Sequence, residues 1–94
     1  MIKFSQNSKS GLTALLTLIA DPNRLKILHT IQLHPGFVSQ LINKTHLSQS
    51  LLSHHLIDLK KGQLVINIKE GRHIYYFLTE KGRHVLNLLD KMPI

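Results

Sequence analysis

Apolar positions recur along this chain with two different periods, and the change of period separates a helical part from a strand part. At about 100° per residue, Leu52, Leu56 and Leu59 share one stripe of a helix, while Ser50, Ser53 and His54 spread over another side with Gln49 at the border. One face packs, and the other presents short hydrogen-bonding side chains, as in a helix built to lie in a DNA groove. Upstream, Leu12, Leu15, Leu16, Leu18 and Ile19 make the stretch Gly11 to Ala20 apolar all round, too much so for a surface helix of a monomer. That helix is expected to touch both the core and a partner.

Asp21-Pro22 is a helix start: the carboxylate can accept from free amides, and proline's fixed φ suits the first helical position. A second helix is expected from Pro22 to about Gln32, with Leu25, Leu28 and Ile31 inward and Arg24 and Lys26 pointing elsewhere. His34-Pro35-Gly36 breaks the chain, and Val38, Leu41 and Ile42 mark a short third helix ending near Asn43. Thr45-His46-Leu47 forms a tight connection into the serine-rich helix, with Ser48 as its N-cap. After Lys60-Lys61-Gly62 the residues turn β-branched and alternating. Val65 to Lys69 and His73 to Leu78 read as two strands joined by a turn at Glu70-Gly71, with Lys69, Glu70 and Arg72 at the tip. A last helix follows Thr79, carrying Val85, Leu88, Leu89 and Met92 on one stripe and ending at Pro93.

The expected fold is therefore mainly α with a two-stranded β-hairpin wing, a winged helix-turn-helix. Residues 1–9 form a flexible N-terminal segment and residues 10–92 the domain. With 94 residues a single chain buries only a modest core, so stabilisation by a second copy is expected. A formal charge of +7, from twelve Lys and Arg against five acids, suits a polyanionic partner, either nucleic acid or an anionic membrane. No apolar run reaches the roughly 18 residues needed to span a bilayer, and the polar start has no signal-peptide core, so a cytoplasmic protein is expected.

The absence of cysteine removes disulfides, thiolate metal centres and thiol nucleophiles. The seven histidines lie at 29, 34, 46, 54, 55, 73 and 84, without HxxxH or HxxH spacing, which gives metal binding little support. No set of nucleophile, base and acid and no phosphate loop is visible, so neither an enzyme nor a cofactor is expected.

Four segments in order carry a resemblance: Ala20-Asp21-Pro22-Asn23-Arg24-Leu25-Lys26-Ile27-Leu28; LSQSLLSHHL at residues 47–56; Leu59-Lys60-Lys61 through Leu64-Val65; and Glu70-Gly71-Arg72-His73-Ile74-Tyr75-Tyr76. Across roughly residues 12–90 the chain resembles the ArsR/SmtB family of transcriptional repressors. The resemblance implies a homodimer joined through its first and last helices and bound to double-stranded DNA at an inverted repeat. The serine-rich helices would enter successive major grooves, with the wings on flanking DNA. It carries DNA contacts onto Gln49, Ser50, Ser53 and His54, the cap onto Ser48 and a wing contact onto Arg72, joined by Lys69 on the same hairpin tip. His55 flanks the leucine stripe, and both packing and DNA contact stay open for it.

Departures from the family fall on its sensing positions. The cysteine-containing box of metal-sensing members aligns with Gly36 to Leu41, putting Phe37 and Ser39 where thiolates stand. Their last-helix site aligns with Glu80, Gly82 and the neighbourhood of Pro93, of which only Glu80 could ligate. No metal site of either kind is expected, and the effector is unidentified. Leu51 and Ile57 stand outside the packed stripe, where thymine methyls could meet them, and Gln63 replaces the glycine usual before Leu64-Val65. Two other readings remain: a metal-responsive repressor with an atypical histidine-carboxylate site, and a winged-helix module that binds another protein through Leu51 and Ile57.

Overall fold

The computed structural model describes residues 6–93, in the order α1 (Gln6–Ile19), α2 (Pro22–Leu33), β1 (Gly36–Phe37), α3 (Val38–Thr45), α4 (Gln49–Lys61), β2 (Val65–Glu70), β3 (His73–Leu78) and α5 (Glu80–Asp90). The first helix begins ahead of the Gly11 start that the apolar pattern suggested, and residues 1–5 of the expected loose segment lie outside the described residues.

Helices α2, α4 and α5 each start on a residue able to accept from their free amides. Asp21 Oδ1 accepts from the amides of Asn23 at 2.8 Å and Arg24 at 3.1 Å, Ser48 Oγ from Leu51 at 3.1 Å, and Thr79 Oγ1 from Gly82 at 2.9 Å. At α3 the cap residue is Phe37, and its amide donates instead to Gln40 Oε1 at 2.9 Å. The third helix outlasts its expected end at Asn43 because Thr45 is drawn in. Its buried hydroxyl donates to Leu41 O at 2.7 Å, leaving no unpaired polar group to oppose burial.

The core joins Ile27, Leu28 and Ile31 of α2, Leu41 of α3, and Leu52, Leu56 and Leu59 of α4. Leu64 and Val65, then Tyr76 and Leu78 of β3 and Val85 and Leu86 of α5, complete it. Helix α2 packs against all four other helices and against β3, and acts as the central post. Leu25, expected inside, is half-buried, whereas Ile27 is fully buried. On α5 the buried side is Gly82, Val85 and Leu86, while of the expected stripe Leu88 faces out and Met92 lies exposed beyond the helix end at Asp90. Gly82 permits this packing: a Cβ there would collide with the backbone carbonyl of Leu64.

The sheet has three strands, in the order β1-β3-β2, rather than the two of the expected hairpin. Gly36 and Phe37 pair antiparallel with Tyr76 and Tyr75. Phe37 meets the Tyr75 ring edge-on at 5.1 Å, and Tyr75 donates its hydroxyl to Pro35 O at 3.2 Å. Within the hairpin, Val65 pairs with Leu78 and Asn67 with Tyr76 on the inner side. Asn67 Nδ2 donates to the Tyr76 hydroxyl at 3.3 Å, which satisfies the polar end of a buried ring. Gly71 turns the hairpin with φ 60° at its first central position, the demand of a type II′ turn that glycine meets without strain.

Candidate nucleic-acid interface

The segment α3-turn-α4 is a helix-turn-helix whose turn is set by His46. Its left-handed backbone (φ 61°, ψ 20°) lets its amide donate to Ile42 O at 2.9 Å and ends α3 sharply. Two residues later Ser48 opens α4, so its hydroxyl is committed to the cap. That matches the expected capping role, and a capped helix start also offers amides to an anionic phosphate.

Helix α4 buries Leu52, His55, Leu56 and Leu59. Gln49, Ser50 and His54 are exposed and Ser53 is half-buried, so these four expected contact residues share the outward side. Among the described residues no protein group takes the side chains of Gln49, Ser50 or Ser53 as a hydrogen-bond partner. Leu51 and Ile57 are exposed on the same helix, at 39% and 52%. His54 is 72% exposed, with Nε2 at 3.7 Å from Asp58 Oδ2 one turn further on.

His55 is placed on the other side. It is only 6% exposed, and its Nδ1 accepts from Arg24 Nε at 3.2 Å. Of the two roles left open for it, this burial and this hydrogen bond favour packing over DNA contact. Arg24 is the residue that the sequence misplaced. Expected to point away, its side chain is 18% exposed and reaches across from α2 to α4. It donates to His55, to Asp58 Oδ2 at 3.0 Å and to Leu18 O at 3.4 Å. One guanidinium thus ties α1, α2 and α4 together, using the fixed fork of donors that lysine lacks. The only hint in the sequence was the His55 and Asp58 spacing of one helical turn, which names no partner.

At the wing, Lys69 near the end of β2 and Arg72 in the turn itself are exposed, with Lys69 opposite Ile74 and Glu70 opposite His73. Both make no ion pair with a carboxylate among the described residues, so their charge is available to a polyanion. Lys44, Lys60 and Lys61 are exposed on α3 and α4. Asp21, by contrast, has its carboxyl held below the usual range by the hydrogen bond from the Arg24 amide, with a further contribution from Asn23.

Phe37, aligned with a thiolate position, packs edge-on against His73 at 5.5 Å as well as Tyr75. Among the described residues no three His, Asp or Glu side chains gather in a way that could hold a metal ion. No helix among the described residues is long and apolar enough to cross a membrane.

Comparison with known proteins agrees with this geometry. The family described as bacterial regulatory protein, arsR family, matches residues 21–67. The cadmium resistance transcriptional regulatory protein CadC of Listeria innocua is 34% identical over 91 residues, which are 96% of this chain and 72% of CadC. The transcriptional activator HlyU of Vibrio cholerae is 32% identical over 88 residues, 93% of this chain and 82% of HlyU. The crystal structure of NolR from Sinorhizobium fredii superposes with a TM-score of 0.84 at 30% identity, covering 97% of this chain and 95% of NolR.

Proposed function

This chain belongs to the arsR family of bacterial regulatory proteins, and from that premise we propose a sequence-specific DNA-binding repressor acting as a homodimer on an inverted-repeat operator. The observation that carries the reading is the division of α4: a fully buried leucine face behind it, and Gln49, Ser50, Ser53 and His54 in front with no intramolecular task except the long approach of His54 to Asp58. Amide and hydroxyl groups so placed pair with base edges or phosphates, and Leu51 and Ile57 meet thymine methyls. Lys69 and Arg72 neutralise the backbone beyond the groove. Repression follows from occupying a promoter, with no catalytic step, and a cytoplasmic location follows from the partner.

The dimer is supported by what the single chain leaves uncovered. Leu12 and Leu16 on α1, Leu88 on α5 and Met92 just beyond its end are each about half exposed. Their pairing across a two-fold axis would set two copies of α4 about one DNA turn, roughly 34 Å, apart.

A gel-shift titration over several salt concentrations tests the reading, using an inverted repeat selected from random duplexes. With about four or five phosphates neutralised per subunit, log affinity should fall against log salt with a slope of roughly −8. Equal binding to the selected repeat and to random duplex would rule out a sequence-specific regulator. Retention of full affinity after Ser50→Ala with Ser53→Ala would favour a protein-binding use of the Leu51 and Ile57 surface instead.

A further inference from the structure

Behind α4, away from the expected DNA surface, an open cleft of about 600 Å³ lies between α1, the end of α4 and the start of α5. That size is within the range of small-molecule sites. One wall is the α1 face that carries Leu15 and Leu18, and the opposite rim is Lys61, Gly62 and Gln63 with Lys81. The floor holds Arg24 and Asp58, whose charges cancel in their 3.0 Å ion pair. The two lysines are then surplus cations. Lys61 faces no carboxylate among the described residues, and Lys81 Nζ donates only to the carbonyl of Gly62 at 3.1 Å. An apolar wall facing two uncompensated ammonium groups is complementary to an anion with a hydrocarbon body.

We infer that this cleft binds a small apolar carboxylate, its acid group between Lys61 and Lys81 and its chain along Leu15 and Leu18. The two lysines repel a divalent cation. The cleft also sits at the far end of α4 from the Ser48 cap, about 20 Å away for a helix rising 1.5 Å per residue, so it is separate from the end that would enter DNA. Gly62 lets the Leu18 side chain take its present place on the wall, since a Cβ there would push Leu18 Cδ2 aside.

Occupancy bears on DNA binding through shared residues, a step that rests on the DNA-binding reading above. Asp58 and Lys61 belong to α4, and Arg24 joins Asp58 to α2 and to the backbone of α1. An acid group seated at Lys61 shares the cleft with the Arg24 guanidinium that holds Asp58, and by drawing on that cation shifts how α4 is braced. The exposed Leu12 and Leu16 lie on the neighbouring face of α1, so the same ligand adjoins the expected dimer seam.

Decanoate, below its micelle-forming concentration, is a suitable probe, with decanol and decylammonium as controls of equal chain length. Amide chemical shifts of the full chain should move saturably at Ala14, Leu18, Lys61 to Gln63 and Lys81, with binding at least about tenfold weaker for both controls. The Lys61→Glu, Lys81→Glu pair should weaken decanoate by a similar factor while leaving the amide spectrum dispersed. A Thr17→Trp variant, which fills the mouth from an exposed position, should do the same. Shifts centred on Leu88 and Met92, equal response to decanol, or no response would each overturn the site. The DNA arm is read separately: saturating decanoate should change duplex affinity in the unsubstituted protein and leave the double variant unaffected. Unchanged duplex affinity with the site filled overturns the coupling, whereas a protein that binds decanoate and no duplex at all overturns the DNA-binding reading and leaves the site standing.

Discussion

Arg24 Nε lies 3.2 Å from Nδ1 of His55, and because a guanidinium can only donate, that imidazole nitrogen must accept. His55 therefore carries its proton on Nε2, facing away from Arg24, and the pair links α2 to the back of α4. The same guanidinium holds Asp58, so one side chain makes both of these polar contacts between α2 and α4.

Replacing Arg24 by Met should remove the donors, leaving His55 without its partner and the half-buried Asp58 with only the long approach of His54. We expect a loss of about 1–3 kcal/mol, seen as a lower urea midpoint with an unchanged slope. Arg24→Lys should recover little of it, because one ammonium cannot reach both acceptors. Full recovery with Lys would show that charge alone matters and the forked geometry does not.

The adjacent histidines should separate by assay. His54→Ala alters an exposed position and should cost operator affinity with little effect on stability. His55→Ala removes a buried ring and should lower the melting temperature first. Thermal denaturation and DNA titration of both variants settle the assignment, and equal losses in both assays would contradict it.

Asp21 should impose an acid limit on stability. Its folded pKa lies below the ordinary 3.8 because amides of Arg24 and Asn23 donate to the ionised carboxylate. A depressed folded pKa stabilises the protein above the unfolded value, and that stabilisation is lost as the pH falls through the folded one. Between pH 6 and pH 2.5, Asp21→Asn should show a smaller drop in urea midpoint than the unsubstituted protein, since the amide cannot titrate.

Gln63 occupies a left-handed conformation, φ 63°, that disfavours a side chain, and Thr79 Oγ1 donates to its carbonyl at 2.6 Å. The turn into the wing keeps the backbone that glycine would adopt, so the strain falls on Gln63. Gln63→Gly should gain up to about 1 kcal/mol, the relieved strain less the added freedom of the unfolded chain. Gln63→Val should lose stability, because a β-branched residue fits that region worst. Calorimetric melting of the two variants in opposite directions is the expected result.

Gly82→Ala pits two effects against each other. Alanine favours a helix interior by about 1 kcal/mol, but its Cβ meets the Leu64 backbone, which cannot rotate away. Overpacking costs of about 1–3 kcal/mol should prevail, giving a lower melting temperature and, through a displaced α5, a weaker dimer by sedimentation. A more stable variant would show that α5 has room to shift.

Elements with a long period were legible before any coordinates. The leucines of α4, the Asp21-Pro22 start, the Ser48 cap and the two long strands all stand where residue order put them, since caps and amphipathic stripes are local chemistry. Strand β1 was not legible, because two residues after Pro35 contain no period to read. Its pairing depends on Tyr75 and Tyr76, some forty positions further along the chain in the register Gly36 to Tyr76.

What the sequence by itself determined is the type of fold and the outward chemistry of α4: spacing alone set Gln49, Ser50, Ser53 and His54 on the side opposite the leucines. Tertiary structure decided the place of His55, which flanks the stripe and which only the arrival of Arg24 from α2 fixes inward. It also decided that Leu88 stays uncovered while Leu86 is buried, because the close approach of Gly82 to Leu64 sets the rotation of α5. Both outcomes depend on contacts between residues far apart in the chain, which helical and strand periods do not encode.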